Sequence, residues 1–199
     1  MTRLLVISAG TGNPSASRLL GARIGEATVA ALAESGVQSE ATHLELRTIA
    51  VELAAHLTTR VPGAKLREAF DAVRAADALV VVTPVMNGSY SGLFKLFFDA
   101  VDEGALRGRP VLLAAAGGTA RHSLVIDQAM LPLFYYLKAT IAPHPVFAAT
   151  KDWGTAGSKL DRRIAVAADA FAQLVRSAAP SAPVDEFEVP DFSELLAER

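Results

Sequence analysis

Cysteine is missing from this 199-residue chain. Its absence removes disulfides, thiolate nucleophiles and cysteine-ligated metal or iron-sulfur clusters together. Charge is also sparse: 20 % of residues are charged, the formal net charge is -2, and no basic block occurs. The electrostatic attraction that dominates nucleic-acid binding is therefore lacking, and no nucleic-acid partner is expected. No apolar run approaches the length that spans a bilayer. The strand-like run "TRLLVIS" begins at Thr2, which leaves no room for a signal peptide, so the expectation is a soluble, cytoplasmic protein with no membrane association. Walker A chemistry is excluded because no Gly-Lys-Ser/Thr occurs, and "GTGNPS" lacks the third glycine of the dinucleotide fingerprint. The four histidines, His43, His56, His122 and His144, have no ligand spacing, so no metal site is expected. Neither a nucleophile nor an acid-base pair stands out, and no catalytic side chain is assigned.

What is present is an alternation. Short β-branched runs ("RLLVIS", "ATHLEL", "ALVVVT", "RPVLLAAA", "HPVFAAT") are separated by stretches of helical spacing ("SRLLGARIGEATVAALAES", "KLREAFDAVRAA", "GLFKLFFDAVDEG", "SLVIDQAMLPLFYYLKA", "KLDRRIAVAADAFAQLVRSAA"). Parallel neighbours need crossover helices, and right-handed crossovers cover both faces of a sheet. The rhythm predicts an α/β fold with a flavodoxin-like, doubly wound, five-stranded parallel sheet of order 2-1-3-4-5. Apolar residues make up 51 % of the chain, as suits strands covered on both sides. Ser15 and Ser17 are candidate N-caps of the first helix and Gly36 its stop; Pro132 should bend or divide its segment. One domain is expected over 1–179, followed by a Pro- and acid-rich extension over 180–199.

In such a sheet, ligands bind beyond the carboxyl ends of the strands, where strand order reverses. The loops after the first, third and fourth predicted strands therefore matter most. The first, "SAGTGNPSAS", runs from Ser8 through Gly10, Ser15 and Ser17; its glycines permit tight turns and its hydroxyls and helix-start amides suit a phosphate, with Arg18 adding charge. The second, "TPVMNGSYSG", offers Pro84, Val85, Met86, Asn87, Gly88, Ser89 and Tyr90. Asn87 and Gly88 suit tight turning and close backbone approach to a flat ring, while Met86 and Tyr90 offer apolar surface. The third, "AAGGTARHSL", brings Ala116, Gly117, Gly118 and Thr119, with His122 as a side chain that reaches the ligand. Lys95 reads as a solvated or intersubunit charge, and Trp153 as packing.

The run "TPVMNGSYSGLFKLFFDAVDEGALRGRPVLLAAAGGTARHSLVIDQAMLPLFYYLKA", together with "SAGTGNPSASR", resembles the NADPH-dependent FMN reductases of flavodoxin-like fold. It is most similar to the branch that supplies reduced flavin to monooxygenases such as the alkanesulfonate enzymes. The resemblance extends to about Trp153. It implies that Ser8, Ser15, Ser17 and Arg18 match the loop taking the FMN phosphate. Residues Pro84 to Tyr90 match the loop along the isoalloxazine and ribityl chain, and Ala116 to Thr119 the loop at the other side of the ring. Met86 departs from the pattern, since family members commonly carry an aromatic residue there.

The resemblance further implies FMN and NADPH as ligands, a flavin-dependent monooxygenase as partner, and a homodimer or homotetramer formed through the helices after the second and third loops. Hydride transfer between stacked rings needs no protein acid or base, which accounts for the missing catalytic side chain. Arg121 is the candidate for reading the extra phosphate of NADPH. A flavin-dependent quinone, azo-dye or metal-oxyanion reductase would share the three loops. A one-electron carrier of flavodoxin type favours a strongly acidic surface, against which the net charge of -2 speaks.

Overall fold

The computed structural model describes residues 1–102, 104–154 and 158–178. The expected boundary at 179/180 and the extension beyond it lie outside the described residues. Strand β1 (Thr2–Ser8) lies between β2 (Ser39–Glu45) and β3 (Ala78–Met86), and β5 (Pro110–Gly117) flanks β3 on its other side, all parallel. The outermost position is shared by β6 (Thr140–Ile141) and β7 (Val146–Ala149), both pairing with β5. This is the doubly wound order expected from the rhythm, with the fifth strand divided in two. Pro143 and Pro145 fall between the two pieces, and a proline has no N–H to give to a ladder, which confines it to such sheet edges.

Alternation along the strands sorts the core into two layers. Leu4 and Val6 of β1 with Val80 and Val82 of β3 face one way, meeting Leu20 and Ile24 of α1 (Ala16–Glu34) and Ile164 and Phe171 of α6 (Lys159–Ser177). Leu5, Ile7, Leu79 and Val81 face the other way. They meet Leu53 of α2 (Ala50–Thr59), Leu66 and Phe70 of α3 (Ala64–Ala75), Phe94 and Phe97 of α4 (Gly92–Ala100) and Phe134 of α5 (Leu131–Tyr136). Successive strand side chains point to opposite faces, so a run buried on both sides, as in "LLVI" and "LVVV", is what a central parallel strand requires. Helix α1 comes unusually close to the sheet. A Cβ added at Gly21 would sit 2.8 Å from Val6 Cγ1, and one at Gly25 2.9 Å from Val6 Cγ2.

Helix ends follow local chemistry. Ser15 is the N-cap of α1, its Oγ accepting from the Arg18 N–H at 3.2 Å; Ser17 lies inside the first turn instead. Gly36, with φ of +76°, ends the helix as expected: its N–H reaches Ala33 O and the Val37 N–H reaches Leu32 O, the paired bonds of a Schellman stop. Pro132 stands in the first turn of α5, and the division of its segment comes just before it, where 126–130 forms a π-helical turn. Proline is tolerated in a first turn because its missing N–H has no intrahelical partner to lose. Helix α2 and the two-residue strand β4 (Ser89–Tyr90) were not anticipated.

Candidate active site

The three loops converge at the carboxyl edge of the sheet on a cleft of about 320 Å³. From the first loop it is lined by Gly10, Thr11, Gly12, Pro14, Ser15, Ala16 and Ser17; from the second by Pro84, Val85 and Met86; from the third by Ala116, Gly117 and Gly118. Ala148, Thr150 and Trp153 close the far side. Thus nine of the residues singled out from sequence meet in one place: Gly10, Ser15, Ser17, Pro84, Val85, Met86, Ala116, Gly117 and Gly118.

The first loop is shaped as an anion cradle. Helix α1 starts there, and Ser15 Oγ is occupied by the Arg18 N–H, while the amides of Ala16 and Ser17 have no partner among the described residues. Unpaired first-turn amides carry the positive end of the helix dipole and suit a phosphate. A Cβ added at Gly10 would overlap Ser15 Oγ, so the small residue keeps the cradle open and the cap in place. Ser17 is buried, at 2 % exposure, and lines the cleft. An FMN phosphate fits this arrangement.

Arg18 departs from expectation. Its Nε donates to Glu45 Oε1 at 2.7 Å, and Arg47 Nε donates to the other oxygen of the same carboxylate at 2.9 Å. Arg18 lies outside the cleft lining, on its flank. Burial acts to raise the Glu45 pKa, but hydrogen bonds from Arg47 and Arg18 outweigh it and hold the carboxyl below its usual range.

In the second loop, Asn87 and Gly88 have φ of +49° and +80° and join β3 to β4, with Val85 opposite Tyr90 and Met86 opposite Ser89. Two positive-φ residues between paired strands make a type I′ hairpin, for which Asn-Gly is the preferred dipeptide. Asn87, Gly88, Ser89 and Tyr90 therefore shape the wall rather than line it. The Tyr90 ring packs against Phe94, 5.6 Å between centroids. Thr83, fully buried, staples the base of this hairpin: its Oγ1 accepts from the Ser91 N–H at 3.0 Å and donates to Pro84 O at 3.0 Å. Ser91 in turn caps α4 through Oγ and the Phe94 N–H. Neither residue was assigned a role from sequence, although Ser91 precedes a helical run in the manner of an N-cap.

In the third loop, a Cβ on Gly117 would meet Phe147 Cζ at 3.0 Å and Val85 Cγ2 at 3.2 Å, whereas Gly118 faces open space. Close approach at Gly117 is thus to the protein's own wall as well as to the cleft. Thr119 and His122 are exposed and sit on the short turn 119–122, off the cleft, and Ser8 is buried at the end of β1 beneath it. Trp153, read as packing, lines the cleft; Asp152 holds the turn before it, accepting from the Ala149 N–H at 2.9 Å and from Arg163 Nη2 at 2.8 Å. Burial acts to raise the Asp152 pKa, but these two donors prevail and hold it below the ordinary value. Among the described residues no three His, Cys, Asp or Glu side chains gather as a metal ion would require.

Comparison with known proteins bears on what the cleft is for. The profile of the family described as NADPH-dependent FMN reductase matches residues 2–154. The chain belongs to that family. It is an oxidoreductase, an NAD(P)H-dependent FMN reductase. An FMN reductase (NADPH) of Pseudomonas aeruginosa is 38 % identical over 175 residues, which are 86 % of this chain and 91 % of that protein. The NADH-dependent FMN reductase SfnF of Pseudomonas fluorescens is 39 % identical over 177 residues, with the same coverage of 86 % and 91 %. Among solved structures, an oxidoreductase from Corynebacterium diphtheriae superposes with a TM-score of 0.86 at 44 % identity, covering 90 % of this chain and 99 % of that one. No helix among the described residues of this FMN reductase is long and apolar enough to cross a membrane.

Proposed function

We propose that this FMN reductase takes its hydride from NADPH, delivers it to FMN held in the three-loop cleft, and supplies the reduced flavin to a partner monooxygenase. The observation that carries this reading is the convergence of unpaired α1 amides, a hairpin wall and a glycine wall on one cleft. Bound FMN supplies the ring that accepts the hydride. The protein's part is binding and orientation. The Ala16 and Ser17 amides and the Ser17 hydroxyl would hold the phosphate, Pro84 to Met86 and Gly117 to Gly118 would flank the ring, and Trp153 lies at the rim. Nothing in that division of labour asks for a protein acid or base. We further propose assembly into a homodimer or homotetramer, supported by Leu124, Tyr135 and Tyr136, which stand 58 %, 62 % and 76 % exposed on the segment after the third loop. Large apolar groups so placed favour an interface.

The test is oxidation of NADPH and of NADH by the protein with FMN varied, set against quinone and azo-dye acceptors. Saturation in FMN with slower turnover on the other acceptors supports the reading. Failure to oxidise either nucleotide with any acceptor overturns it.

A further inference from the structure

Beside the flavin cleft lies a larger cavity of about 730 Å³, bounded by Pro14, Leu19, Trp153 and the Arg18–Glu45–Arg47 cluster. Its size falls in the range of small-molecule sites. The two spaces share Pro14, Ser15, Ala16 and Trp153, so a ligand too long for one continues into the other. We propose that this cavity takes the 2′-phosphoadenosine half of NADPH, with Arg18 and Arg47 reading the 2′-phosphate. The proposal rests on the reductase reading given above and adds the place and the chemistry of coenzyme selection.

Three features carry it. The apolar part of the wall suits a flat base: Leu19 is 50 % exposed, and Trp153 presents its ring at the boundary while the Arg23 guanidinium sits 6.0 Å from the ring centroid. Aromatic surface of this kind accepts a heteroaromatic ring by stacking. The charged part is preorganised. Each arginine gives only its Nε–H to Glu45, and among the described residues the Nη groups of both have no partner. One carboxylate thus orients two guanidiniums and leaves two planar donor forks available, the geometry that matches phosphate oxygens. Finally, the charge balance is positive, two guanidiniums against one carboxylate, so an arriving phosphate dianion is attracted while a bare ribose hydroxyl gains little. Arg121, the candidate from sequence, is exposed on the turn after the third loop and borders neither space; the reading of the phosphate passes to Arg18 and Arg47.

The experiment uses FMN-saturated protein and two fragments without nicotinamide, adenosine 2′,5′-bisphosphate and adenosine 5′-monophosphate, titrated by calorimetry. Trp153, the single tryptophan of the chain, gives a second readout by its fluorescence in the flavin-free protein. The bisphosphate is expected to bind about tenfold more tightly than the monophosphate, and Arg47→Ala to abolish that difference. In turnover, Arg47→Ala is expected to raise KM for NADPH by about tenfold while leaving KM for NADH within about twofold and kcat unchanged for both. Equal binding of the two fragments by the unaltered protein, or equal increases in both KM values in Arg47→Ala, overturns the proposal. Failure of the unaltered protein to oxidise either coenzyme instead strikes the reductase reading, which the fragment titrations do not use.

Discussion

The two ends of the parallel sheet handle arginine in opposite ways. At the amino edge, a cleft of about 320 Å³ is bordered by Arg3, Arg74 and Arg109, yet their charged groups have partners within the fold. Arg109 donates through Nη1 to Val73 O at 2.6 Å and to the Ala76 carbonyl, and through Nη2 to Arg74 O at 2.8 Å. It satisfies the carbonyls left over at the end of α3, where a cation is also favoured by the helix dipole. Arg74 pairs with Asp71 and Asp102, and Arg3 with Asp77. At the carboxyl edge, Arg18 and Arg47 engage one carboxylate through Nε, and among the described residues their forks, like the neighbouring α1 amides, have no partner. The presence of arginines around a cleft is therefore no guide to function. The difference is whether donors are already satisfied: the first edge holds the fold together, and the second keeps binding capacity in reserve.

That contrast can be broken most severely at Arg109. Arg109→Met removes the donor from three carbonyls in a half-buried position and is expected to lower unfolding free energy by about 3 kcal/mol, since bonds to charged groups weigh more than neutral ones. Urea denaturation measures it, and flavin titration of the folded variant should give unchanged affinity. Next comes Gly10→Val at the opposite edge. Its side chain would displace Ser15 Oγ and fill the cradle, so FMN affinity should fall by at least about tenfold, or about 1.4 kcal/mol, with a smaller change in stability. A stability loss matching that of Arg109→Met, with flavin binding intact, would show that the first loop is structural too. The smallest effect is that of pH on Asp152. Its folded-state pKa lies below the unfolded value, so its contribution is present above about pH 4 and is lost as pH falls through the folded value. Trp153 fluorescence followed from pH 6 down to about pH 3 should report loosening of the 149–152 turn, and Asp152→Asn should flatten that part of the profile.

The parallel core was legible because its signal is strong and local. "LLVI", "LVVV" and "VLLAAA" are apolar on both faces and bounded by turn residues, which only a buried strand or helix explains, and their length selects strand. Helix α2 was hidden for the converse reason. Leu53 is buried, whereas Val51 and Leu57 are 83 % and 46 % exposed, so its apolar spacing does not trace one face. The tight turn at Asn87-Gly88 was legible from the dipeptide itself, whereas the two-residue strand that follows it was not, because Ser89 and Tyr90 are too few to show an alternation. Tyr90, paired with Val85 across that hairpin, has its ring against Phe94, a contact set by the helix that follows and not by the loop's own composition.

Sequence alone determined the alternation of strands and helices, the Schellman stop at Gly36, the loops that gather at the carboxyl edge and, by resemblance, the family. These depend on neighbours a few residues apart, or on motifs kept whole in one stretch. Tertiary structure decided the rest: Trp153 and Ala148 as parts of the rim, Arg109 on the end of α3, and the joining of Arg18 to Glu45 and Arg47 across 27 and 29 positions of chain. Those contacts exist because β1 lies between β2 and β3, which brings the end of β2 beside the start of α1. No periodicity in the chain records which distant charge will lie within reach of another.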